Sequence, residues 1–166
     1  MLDHLNAVNL GGGAVAPNTE LVAQVLAKGD KSSQRIAQAL RTGEIDLEYL
    51  NIPNFQVNGR YMEGSGVLQL NGNQNWAGSD GLFRAAITAG HEGQHWLDDA
   101  AGIATQGMKA TSQREAYFEA RAFLREQKIA DSLGKSELGT LNQFTKEYGS
   151  RTTAWEKIKE FYGLEF

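Results

Sequence analysis

Apolar positions recur at helical spacing through most of this chain and alternate over only a short central region. Leu21, Val22, Val25 and Leu26 follow Asn18, a good N-cap, and Gly29 stops the pattern. A second amphipathic run starts at Asp30 or Ser32, carries Ile36, Ala37 and Leu40, and ends at Gly43. From Glu44 to Pro53 the apolar residues Ile45, Leu47, Leu50 and Ile52 fit a helical turn or a short strand. The pattern then alternates across Phe55-Gln56-Val57-Asn58-Gly59-Arg60-Tyr61-Met62, and the central Asn-Gly predicts a hairpin turn. After Gly64-Ser65-Gly66, the run Val67 to Asn71 reads as a further strand. Trp76, in the polar loop that follows, reads as a packing residue before a cleft residue.

The helical period returns at Asp80 and predicts a helix from Asp80 to Ala101, stopped at Gly102. Gly90 and Gly93 interrupt it, each at a cost of about 1 kcal/mol relative to Ala. Such a broken rule implies close backbone approach or room for a substrate. Three more helices are predicted: one ending near Leu133 before Gly134, one over Ser136 to Tyr148, and one begun by the capping box Thr153-x-x-Glu156. The expected fold class is α+β and mainly helical, with a small antiparallel hairpin or sheet before the long central helix. Residues 1–17 include Gly11-Gly12-Gly13 and read as a flexible N-terminal segment; residues 18–166 read as a single domain.

Composition narrows the partners. A net charge of −4 with no basic run argues against a nucleic-acid surface. The absence of cysteine excludes a disulfide framework and a thiolate metal site. No apolar run is long enough to span a bilayer. The first twenty residues have neither a basic start nor an apolar core, so no signal peptide is expected. A soluble protein is expected, its compartment left open.

Chemistry concentrates in Ala89-Gly90-His91-Glu92-Gly93-Gln94-His95-Trp96, which contains H-E-x-x-H. Residues four apart on a helix are neighbours, so His91 and His95 project side by side and can share one metal ion. Glu92 lies about 100° round the helix and flanks that ion, where a general base is needed. A zinc site of this kind needs a third protein ligand. The chain has no Cys, and its one other histidine, His4, is far away in sequence. The third ligand is therefore expected to be a carboxylate, and Glu115 and Glu119 lie on one face of the next helix.

These residues resemble the gluzincin metallopeptidases, the thermolysin-like zincins, in which a second helix supplies a zinc-binding Glu about twenty residues after H-E-x-x-H. The family's N-E-x-x-x-D matches Arg114-Glu115-x-x-x-Glu119, with Arg for Asn and Glu for Asp. The resemblance implies that His91, His95 and Glu115 bind Zn²⁺. It makes Glu92 the catalytic base and Glu119 a carboxylate behind a ligand histidine, or the alternative ligand. Spacing favours Glu115, although other short H-E-x-x-H proteins carry E-A-x-x-F, which Glu119-Ala120-Arg121-Ala122-Phe123 fits. It further implies an oxyanion-stabilising residue, for which Tyr117, Tyr148, Tyr162 and Arg121 are candidates. An edge strand of the central region would pair with the substrate backbone, the alternative being a structural hairpin that covers the core. The function expected is a zinc-dependent endopeptidase acting on a peptide or protein, the alternative being an inactive zincin-like binding or scaffold module. Length and the glycine-rich front also resemble metallopeptidase domains of secreted bacterial toxins and effectors, whose partners include inhibitor or immunity proteins.

Overall fold

The computed structural model describes residues 7–11, 14–54, 56–78, 80–102 and 111–164. Strands β1 (Ala7–Gly11) and β2 (Ala14–Pro17) pair antiparallel, so the stretch that reads as a linker contains a two-stranded ribbon. His4 lies outside the described residues. Helices α1 (Thr19–Leu26) and α2 (Lys31–Thr42) start where their caps predict. The Asn18 side chain accepts from the Leu21 amide and that of Asp30 from the Ser33 amide. Gly43, at φ 73°, ends α2 in the left-handed region that suits glycine.

The ambiguous stretch resolves as a strand, β3 (Asp46–Leu50). It pairs parallel with β5 (Val67–Asn71), and β4 (Gly59–Tyr61) pairs antiparallel with β5 on the other side. The sheet is therefore mixed, with order β3-β5-β4 and β4 at an edge. The predicted Asn58-Gly59 turn does not form. Gly59 opens β4, and the chain reverses through Gly64 and Gly66, at φ 74° and 64°. Gly59 is needed for a different reason: a Cβ there would sit 2.8 Å from Thr88 Cγ2 and 3.1 Å from Glu92 Cγ. The absence of a side chain brings this edge strand against the central helix.

That helix is α3 (Gly81–Ala100), and α4 (Thr111–Ser132) packs along it. Its two interior glycines allow close approach. A Cβ on Gly90 would meet Ile129 Cδ1 at 2.1 Å, and one on Gly93 would meet Ile36 Cδ1 at 2.7 Å. The main core gathers Leu26, Ile36, Ile45, Leu68, Leu70 and Trp76 around α3. Trp76 is buried and donates its indole N–H to the Asn71 carbonyl, which makes it a packing residue.

The predicted helix over Ser136 to Tyr148 begins as one 3-10 turn, Ser136–Leu138, followed by α5 (Thr140–Tyr148). The last helix, α6 (Arg151–Tyr162), starts earlier than its predicted capping box. Ser150 is the N-cap and accepts from the Thr153 amide. The α5–α6 pair has a small core of its own, Phe123, Leu141, Ala154 and Ile158, packed on α4. The fold is α+β and mainly helical, as its pattern predicts. No helix among the described residues is long and apolar enough to cross a membrane.

Candidate metal centre

His91 and His95 share one face of α3, as their spacing requires, with ring centroids 5.2 Å apart. From α4, Glu119 reaches both. Its Oε2 lies 3.1 Å from His91 Nε2 and its Oε1 3.0 Å from His95 Nε2. Ligand atoms of these three side chains all lie within 4.8 Å of one another. Two imidazoles and one carboxylate are the donor set of a catalytic zinc site, with a coordination position left for water. The residues present therefore fit a divalent cation.

Glu115, favoured on spacing, does not join this group. It is exposed, on the cleft wall one helical turn from Glu119. The Glu119-Ala120-x-x-Phe123 alignment describes the observed geometry better: Phe123 stands edge-on to His91 at 4.7 Å. The carboxylate behind His91 is neither of the two candidates but Glu126. His91 Nδ1 donates to Glu126 Oε2 at 2.9 Å, fixing the ring with Nε2 toward the cluster. Sequence reasoning missed Glu126. The available signal was its position seven residues after Glu119, two turns along the same face of α4.

Glu92 is only 5% exposed and lines the cleft beside the cluster. Burial raises its pKa, against the pull of His91 and His95. Glu119 is shifted the other way: burial opposes ionisation, but the hydrogen bonds from His91 and His95 hold its pKa well below the usual carboxylate range. Burial disfavours the imidazolium of His91, and Glu119 and Glu126 outweigh that cost and raise its pKa well above the ordinary value. Every ion pair of Glu119 and Glu126 is to one of these two histidines.

The cluster opens into a cleft of about 570 Å³. One wall is β4, whose backbone borders it. Asn71 N donates to Asn58 O, so alternation along the ladder turns the Gly59 and Tyr61 backbone groups away from β5. Asp99 pins the far end of this edge, accepting from Tyr61 Oη at 2.6 Å and from the Gly64 amide at 2.8 Å. Of the four oxyanion candidates, Tyr162 alone lines the cleft. Burial, then the Glu126 and Glu119 carboxylates, push its pKa up to about 12, so its hydroxyl stays protonated. Arg121 is instead committed to Asp98, with three contacts of 2.9–3.0 Å. In comparison with known proteins, the chain matches no family model, no curated protein and no solved structure.

Proposed function

We propose that this protein is a zinc-dependent endopeptidase. The observation that carries the reading is the convergence of His91, His95 and Glu119 on an open cleft. Beside them stands Glu92, a buried carboxylate with no lysine or arginine paired to it among the described residues. His91, His95 and Glu119 would hold the ion, which when bound supplies a Lewis acid that acidifies water and polarises a carbonyl. Glu92 takes the proton from the attacking water and returns it to the departing amine. Its raised pKa suits both transfers. The protonated hydroxyl of Tyr162 is the donor available to a developing oxyanion. The outward backbone groups of Gly59 and Tyr61 can pair with an extended peptide, which argues for a polypeptide substrate.

The test is metal analysis followed by hydrolysis of an unstructured protein such as casein. Purified protein is expected to hold one zinc per chain. Glu92→Gln is expected to keep that zinc and lose about a hundredfold or more of the activity. Zinc-loaded wild-type protein that cleaves no polypeptide would favour a binding module, and protein that takes up no metal would end the reading.

A further inference from the structure

Glu126 does more than face His91. Its second oxygen, Oε1, accepts from the backbone amide of Thr140 at 2.7 Å and from Thr140 Oγ1 at 2.5 Å. Thr140 is the first residue of α5, and Gly139, its N-cap, provides no side-chain cap. The first amides of a helix lack intrahelical acceptors and carry partial positive charge. Glu126 thus caps α5 from another helix, and the same carboxylate orients the imidazole of His91. Phe123 makes a second link. Its ring stands edge-on to His91 and is also part of the small α5–α6 core, with Tyr162 at a centroid distance of 5.3 Å.

We infer that the N-terminus of α5 is a positioning element of the metal centre. Thr140 holds Glu126, Glu126 holds His91, and metal binding is thereby coupled to docking of the α5–α6 pair. The inference rests on the metal-binding reading proposed above. Coupling is reciprocal: whatever seating of α5 adds to metal affinity, metal adds to the seating of α5. It also places Tyr162, on α6, in the cleft only when the pair is docked.

Thr140 offers an unusually clean test. Proline is well accepted at the first position of a helix, where its missing N–H breaks no helical bond. Gly139 already has φ −76° and ψ 131°, the extended conformation that proline demands of its predecessor. Thr140→Pro therefore deletes both donors to Glu126 while retaining α5. Zinc affinity is measured by competition with a chromophoric chelator, alongside the melting temperature of the metal-free protein. Thr140→Pro is expected to weaken zinc binding by severalfold to about tenfold, at or below the low end of the range for losing the carboxylate that itself orients a ligand histidine. Thr140→Val, which keeps the amide, is expected to lose less, and Thr140→Ser to bind as wild type. The metal-free melting temperature of Thr140→Pro is expected to fall by several degrees, because the buried Oε1 of Glu126 loses its donors, with the protein still folded at the temperature of the titration, and that of Thr140→Ser to stay at the wild-type value.

In wild-type protein, adding zinc is expected to slow hydrogen exchange at the amides of residues 140–148. Unchanged affinity in Thr140→Pro, or unchanged exchange in α5, overturns the coupling and leaves the proposed metal site standing. Should Thr140→Pro fail to fold, Thr140→Val and the exchange measurement decide. A wild-type protein that binds no zinc overturns both.

Discussion

The α3–α4 interface carries two polar clusters, and they are balanced differently. In one, Asp98 takes a bidentate grip from Arg121 and a hydrogen bond from Gln94. Arg125 bonds Gln94 and pairs with Asp30, which Lys128 also meets at 2.9 Å. Each carboxylate there has a permanent cation. In the other, among the described residues, Glu119 and Glu126 are paired only with His91 and His95, and Glu92 has no lysine or arginine, only the pull of the same histidines. Imidazoles are ordinarily neutral near pH 7, and here the Glu119 and Glu126 carboxylates hold the His91 pKa well above the ordinary value, so the cationic charge is borrowed as a proton. Buried charge without a partner is expensive and is relieved by protons or by a bound cation. The first arrangement is finished by the chain itself. The second calls for something from outside, and a divalent ion fits its donors.

The contrast is sharpest in the response to zinc. A ligand that binds only the folded state stabilises it by about 4 kcal/mol at a thousandfold excess over its dissociation constant. Wild-type protein should show that shift in thermal melts. Glu119→Ala should lose it, whereas Glu115→Ala, altering an exposed side chain, should retain it. The reverse result would move the third ligand to Glu115 and undo the comparison. In the self-paired cluster, zinc should be irrelevant and the carboxylate essential. Asp98→Ala removes the acceptor of the Arg121 and Gln94 hydrogen bonds and, with Arg121 partly solvated, is expected to cost about 2 kcal/mol in chemical denaturation, with or without metal.

Gly90, packed between α3 and α4, gives a smaller effect. Gly90→Ala forces a Cβ toward Ile129 Cδ1, 2.1 Å away before relaxation, and should destabilise by about 1–3 kcal/mol. Because the clash wedges α4 from α3, it should also weaken zinc binding, which a calorimetric titration would detect. Smallest is the pH response of Asp30. Burial raises its pKa, but the Ser33 amide, Lys128 and Arg125 outweigh that and lower it far below the ordinary value. A depressed folded pKa contributes stability above the unfolded value, near 4, that is lost as pH falls below it. Asp30→Asn keeps a cap but no charge, so its stability deficit, about 1 kcal/mol at pH 7, should shrink as pH falls below about 4.

How much of the site could be read in advance differs by helix. The two histidines and Glu92 were legible because one helical turn fixes their relation, and no tertiary contact can change it. Glu119 was legible only as one of two candidates. Residues four apart share a face, and the choice depends on how α4 slides and rotates against α3. One contact that sets that placement is the close fit of Gly90 on Ile129, a pairing between distant segments. Glu126 was hidden for the same reason. A glutamate in a helix is ordinarily a solvated residue until a histidine from another helix proves to lie against it. In the sheet, the Asn58-Gly59 signal was real, but its glycine serves contact with Thr88 and Glu92 and no hairpin turn.

The chain alone determined what lies within one or two helical turns: the caps at Asn18 and Asp30, the left-handed stops at Gly43 and Gly149, and the His91–Glu92–His95 face. Backbone geometry and hydrogen-bond spacing govern those features, and both are local. Tertiary structure alone decided that Glu119 completes the donor set, that Glu126 stands behind His91, and that α5 leans on Glu126. Each of these depends on the rotation and offset of one helix against another, which packing of side chains far apart in the chain sets.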